Sequence, residues 1–128
     1  MRYIRLYSDA GGVSRFEDLE MAFAPREFVP PAPPFDVSEP IAASEYLMIR
    51  VPAGWSDSAH PAPARQLMLF MSGAFEVTAG DETRRIAAGD IVLLENTLGP
   101  GHGTTALEDT VIAVVRLGDP GDAPGPVD

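Results

Sequence analysis

Proline and glycine recur so often in this chain that a long helix has no room to form. Thirteen Pro and twelve Gly in 128 residues place a breaker about every five positions, and proline inside a helix costs roughly 3 kcal/mol. The runs between breakers alternate apolar with polar residues or are rich in β-branched and aromatic ones, which is strand patterning. This predicts strands at Arg2–Tyr7, Glu17–Phe23, Glu45–Val51, Gln66–Met71, Phe75–Ala79, Thr83–Ile86, Ile91–Glu95 and Thr110–Leu117. Only Arg15–Ala24 competes as a helix, because Phe16, Leu19, Met21 and Phe23 fit both periods. Met71-Ser72-Gly73-Ala74 and Ala79-Gly80-Asp81-Glu82 read as hairpin turns, and Ala88-Gly89-Asp90 as a tight corner. So many short strands need closure or face-to-face packing to hide their edges, so the expected fold is an all-β antiparallel sandwich or barrel.

The length predicts one domain, spanning 1–117 with a Pro-rich arm at about 28–40 and a flexible tail at 118–128. The arm, Phe28-Val29-Pro30-Pro31-Ala32-Pro33-Pro34-Phe35, is expected to pack across the domain's own surface. The alternative is a polyproline ligand for a partner's aromatic groove. The chain has no cysteine, which excludes disulfides, thiolate metal sites and a thiol nucleophile and suits a cytoplasmic location. It also has no lysine, so no Schiff base forms. The nine basic residues are scattered arginines against nineteen acidic ones, net −10. Phosphate backbones and anionic membrane surfaces would repel such a chain, and nucleic acid is not an expected partner. Leu67 to Met71, an apolar run near the middle, is far too short to span a bilayer, so no membrane association is expected.

The candidate chemistry gathers around two histidines, His60 and His102, each beside an apolar strand in a Pro/Gly-rich stretch. Gly54 is followed by five residues and His60, one more and Ala62, three more and Gln66, then six and Gly73. This spacing resembles the first motif of the cupin family, in which a glycine leads to His-x-His, a glutamate and a second glycine. Ala62 stands where the second histidine is expected, and Gln66 where the glutamate is. Fifteen residues separate Gly73 from Gly89. There Gly89-Asp90 opens a looser version of the second motif, with Glu95 at the proline, His102 two residues late and Ala106 at the final asparagine. The segments around His60–Gln66 and Glu95–His102 look like those of small single-domain cupins.

The resemblance implies a double-stranded β-helix, or jelly-roll, barrel with His60, Gln66 and His102 pointing inward at the metal position. It further implies a divalent transition metal, with Fe, Ni, Zn, Cu or Mn as candidates. Neutral Gln66 weakens such a site, and Glu95 or Glu45 would restore a carboxylate if it turned inward. Without metal, His60 and His102 would serve as general base and acid, with Gln66 orienting a substrate carbonyl or enol. Strand parity puts Met68 and Phe70 on the face of Gln66, and Leu67, Leu69 and Met71 on the other. Tyr46, Met48 and Arg50 share one face of their strand and are expected, with Trp55 and Glu95, to line the pocket. The expected function is a small-molecule enzyme, metal-assisted or acid–base (oxygenase, isomerase or cyclase), acting on a small organic substrate. The alternative is a non-enzymatic ligand-binding barrel. Both faces of Leu67–Met71 are apolar, which together with the resemblance implies a homodimer.

Overall fold

A computed structural model describes residues 1–118, and the rest of the expected tail lies outside the described residues. Twelve strands form, with no helix among the described residues: β1 Arg2–Ser8, β2 Ser14–Glu20, β3 Ala24–Arg26, β4 Phe35–Val37, β5 Glu45–Val51, β6 Ser56–His60, β7 Gln66–Ser72, β8 Ala74–Ala79, β9 Glu82–Ala87, β10 Ile91–Leu94, β11 His102–Ala106 and β12 Thr110–Arg116. No helix is long and apolar enough to cross a membrane. The ambiguous Arg15–Ala24 segment is resolved as strand β2, which pairs residue for residue with β1 from Arg2–Glu20 to Ser8–Ser14.

One sheet has the order β2-β1-β10-β7-β12-β5 and the facing sheet β6-β11-β8-β9. The eight strands β5–β12 alone give β10-β7-β12-β5 against β6-β11-β8-β9, the strand order of a jelly roll. The Ala79–Glu82 turn is a hairpin, as its sequence indicates. Met71–Ala74 is not. There the chain passes from one sheet to the other, and Gly73 allows the crossing because a Cβ at this position would collide with Asp109 and Thr110.

The core fills the space between the sheets. Leu6, Ile86 and Ile112 are its largest fully buried apolar side chains, and Phe70 meets Phe75 edge-to-face with centroids 5.2 Å apart. Burying each such side chain contributes roughly 1.5–3 kcal/mol. The alternation expected of β7 is borne out: Gln66, Met68 and Phe70 face inward, and Leu67, Leu69 and Met71 face out. The outer face of the large sheet also carries apolar residues from β5 to β10, up to Arg5 on β1. Two rows cross it, Tyr46–Val115–Leu67–Leu93 and Met48–Ala113–Leu69–Ile91.

The Pro-rich arm does not pack across the barrel. It forms a small ribbon in which β3 pairs β4, and every residue from Ala22 to Asp36 is exposed. Its prolines remove the donors a longer ladder needs, so pairing is confined to three residues on each side.

Candidate functional site

The two histidines lie at the ends of paired strands. β6 (Ser56–His60) and β11 (His102–Ala106) lack the apolar alternation of the other strands, being rich in Ser, Thr, Asp and Gly, and partner strands impose their extended form. The ladder pairs His60 directly with His102, bringing the ring centroids to 5.5 Å.

A β-bulge then completes the site. Three residue steps in β6, from Asp57 to His60, face only two in β11, from His102 to Thr104. Regular alternation would send Asp57 and His60 to opposite faces of the strand; the extra residue turns both the same way. His60 Nε2 lies 2.5 Å from Asp57 Oδ2, while Asp57 Oδ1 accepts the Thr104 N–H at 3.0 Å. The other ring nitrogen, Nδ1, donates to the Pro61 carbonyl at 2.9 Å. With an acceptor at each nitrogen, the doubly protonated ring is favoured. The Pro61 carbonyl, opposed by partial burial and reinforced by Asp57, raises the His60 pKa above its ordinary 6.5.

His102 has the opposite surroundings. It is buried, and its Nδ1 accepts a hydrogen bond from Asn96 Nδ2 at 2.7 Å. That bond assigns the proton of the neutral ring to Nε2. Burial, followed by the nearby charge of His60, lowers the His102 pKa, with Asp57 offsetting part of the effect. Asn96 is itself fully buried, donates to Ser14 Oγ at 2.9 Å, and accepts the Ala62 N–H on its backbone oxygen. It thus joins the first motif, the N-terminal hairpin and His102.

These groups border a cavity of about 180 Å³. Asp57, His60, Gln66, His102 and Thr104 form its polar part, against Ile49, Val51, Trp55, Met68, Phe75 and Leu94. A smaller apolar recess of about 40 Å³ continues past Met68 and Phe75 toward Phe70 and Ile86. The cavity is below the size that takes a drug-like ligand and comparable to one that holds a single aromatic ring.

His60, Gln66, His102, Met68, Phe70 and Trp55 therefore border these two spaces. Four expectations are corrected. Tyr46, Met48 and Arg50 are on the outer face of β5, with Tyr46 78 % exposed, and Ile49 and Val51 line the cavity in their place. Parity divided that strand correctly, but both faces carry apolar residues, so hydrophobicity did not say which one turns inward. Glu95 is not in the cavity. Arg65 Nε and Arg5 Nε hold its two oxygens at 2.5 and 2.6 Å. Burial would raise the Glu95 carboxyl, but these arginines outweigh it and hold the group below the usual carboxylate range. Sequence reasoning missed Asp57 and Asn96. The one signal for Asp57 was its position three residues before His60, which strand parity argues against. A buried polar residue in a loop left no signal for Asn96.

The residues present do not fit a resident transition metal. Such an ion needs several lone pairs converging on one point. Ala62, at the position of the second motif histidine, offers a methyl group and is buried in the core. Both nitrogens of His60 are engaged. Among the described residues no three His, Cys, Asp or Glu side chains are grouped to hold an ion.

The strand order and the pairing of both motif histidines across one barrel mouth decide the architecture. The chain has the jelly-roll barrel fold. No family model and no curated protein matches it. Among solved structures it is similar to a conserved protein of unknown function from Streptococcus pyogenes, at 23 % identity and TM-score 0.48, over 58 % of this chain and 63 % of that one. A cupin-2 domain protein from Shewanella frigidimarina matches at 16 % identity and TM-score 0.43, over 56 % and 68 %. The cupin domain of Cnp3 from Schizosaccharomyces pombe matches at 15 % and 0.47, over 83 % and 73 %. The chain thus spans less than two thirds of the length of the Streptococcus protein.

Proposed function

We propose that this cupin barrel is a small-molecule enzyme that moves a proton on a compact, largely apolar carbonyl compound. The observation that carries this reading is the pair of imidazoles, 5.5 Å apart at one apolar cavity, in surroundings that raise the pKa of His60 and lower that of His102. Two titratable groups whose surroundings push them apart divide into acid and base roles. The neutral His102 presents Nε2–H, which with the Gln66 amide suits a carbonyl oxygen or the enolate formed from it. His60, paired with Asp57, is the proton-transfer group. Once His60 Nδ1 has given its proton to solvent and the substrate has displaced the Pro61 carbonyl, that nitrogen takes the proton from the carbon next to the substrate carbonyl. The C–H electron pair passes to the oxygen held by His102 and Gln66, Asp57 stabilises the imidazolium so formed, and return of the proton to carbon restores the neutral ring. The apolar walls hold the carbon skeleton and raise the strength of each polar contact.

The engagement of both His60 nitrogens in the free protein favours one other reading, a barrel that binds such a compound without turning it over. The two readings separate in deuterium oxide. Chelator-treated protein is incubated with a panel of small enolisable ketones, and mass spectrometry follows deuterium incorporation next to the carbonyl. Exchange that persists after chelation and falls at least 100-fold in Asp57→Asn and His60→Gln supports the enzyme, since general acid–base groups contribute about 10²–10⁴-fold. Binding without exchange supports the binding barrel. Exchange that appears only with added Fe, Ni, Zn, Cu or Mn sinks the metal-free mechanism.

A further inference from the structure

The recess beyond the cavity lies one level deeper in the barrel. Along β7, Gln66 borders the main cavity alone, Met68 borders both spaces and Phe70 the recess alone. On the neighbouring β10, Leu94 opposite Gln66 borders both, and Val92 opposite Met68 only the recess. Two residues along a strand advance about 7 Å, so a ligand whose polar end is held at Gln66 and His102 reaches the recess with its far end. Apart from His102 and Thr104, which border both spaces, the recess is walled by apolar side chains. A water molecule needs about two to four polar partners to occupy such a space, whereas a hydrocarbon group needs none.

We infer that the recess selects the ligand by one short alkyl group: the compound this barrel takes is ring-sized and carries a methyl or ethyl substituent that enters past Met68 and Phe75. The size follows from the volumes. An apolar cavity of about 150 Å³ takes the six carbons of benzene, so the main space of about 180 Å³ takes one ring and the recess of about 40 Å³ one or two further carbons. Val77 on β8 and Ile86 on β9 set the limit, since both are buried and wall the recess but not the main cavity. Each methylene moved from water into the recess tightens binding about fourfold. A third carbon meets these walls and gains nothing. The carbonyl end of the ligand rests on the proposed function and the alkyl end on the recess alone, so hydrocarbon probes test the two apart.

Benzene, toluene, ethylbenzene, propylbenzene and butylbenzene are titrated against the full chain, with affinity read from the methyl resonance of Met68, which borders both spaces. Affinity should rise about fourfold at each step up to ethylbenzene and then fall. Val77→Ile, which adds a carbon to the wall, should move the optimum back to toluene. Ile86→Val, which removes one, should move it on to propylbenzene. A cooperative melt checks that each variant folds, and either variant alone decides the point. Benzene binding as tightly as ethylbenzene, affinity that rises through butylbenzene, an optimum that neither variant moves, or no binding of any probe would each overturn the inference. An alkyl optimum with no deuterium exchange on any ketone leaves the subsite standing and removes the enzyme reading; exchange without an optimum does the reverse.

Discussion

Gly101→Ala tests how the two histidines are held together. Gly101 precedes His102 and has φ +79°, and a Cβ built on it would run into the backbone of His60 and Pro61. Two costs follow. Alanine in the left-handed region costs about 1–2 kcal/mol, and pushing apart packed neighbours costs a further ~1–3 kcal/mol. The expected loss is roughly 2–5 kcal/mol, which for a chain of this length lowers Tm by something on the order of 10–20 °C. Gly89→Ala separates the two contributions. Its φ is +93°, but nothing lies within 4 Å of the added carbon, so only the first cost applies and Tm should fall by roughly 5 °C. Calorimetry gives both shifts, and the ring resonances of His60 and His102 should move in Gly101→Ala and stay in place in Gly89→Ala. Equal melting temperatures for the two variants would refute the idea that close backbone approach at Gly101 sets the site.

Three further perturbations follow from the electrostatics. NMR titration should find His60 losing its proton above pH 6.5 and His102 below it, and Asp57→Asn should lower both values, because Asp57 favours the charged form of each ring. In stability the two oppose each other: the His60 contribution is complete below 6.5 and is lost as pH rises through its raised value, whereas that of neutral His102 is present above 6.5 and is lost as pH falls through its lowered value. Urea denaturation of wild type and of His60→Gln across this range checks the sign, since the variant should lose the high-pH decline. Glu95→Gln, which takes the shared carboxylate from Arg5 and Arg65, should cost about 1–2 kcal/mol, discounted from the buried-pair value because Arg5 keeps water contact. Its effect should be on the melt alone, with deuterium exchange on ketones unchanged, because Glu95 lies outside the cavity.

The breakers and the period-two runs determined the all-β architecture, and the spacing from Gly54 to Gly73 picked out His60 and Gln66, both of which border the cavity. Parity correctly divided β7 into Gln66, Met68 and Phe70 against Leu67, Leu69 and Met71, because alternation along a strand is a local property of the backbone. Which face turns inward is decided only when the sheets close, and on β5, where both faces carry apolar side chains, this put Tyr46 and Met48 outside. The histidine strands β6 and β11 were invisible because their extended form comes from their neighbours' hydrogen bonds, not from their own composition. The pairing of Asp57 with His60 depended on a bulge, a register shift between two strands some forty-five residues apart in sequence. No pattern within one strand records that shift, since it exists only once the other strand is beside it.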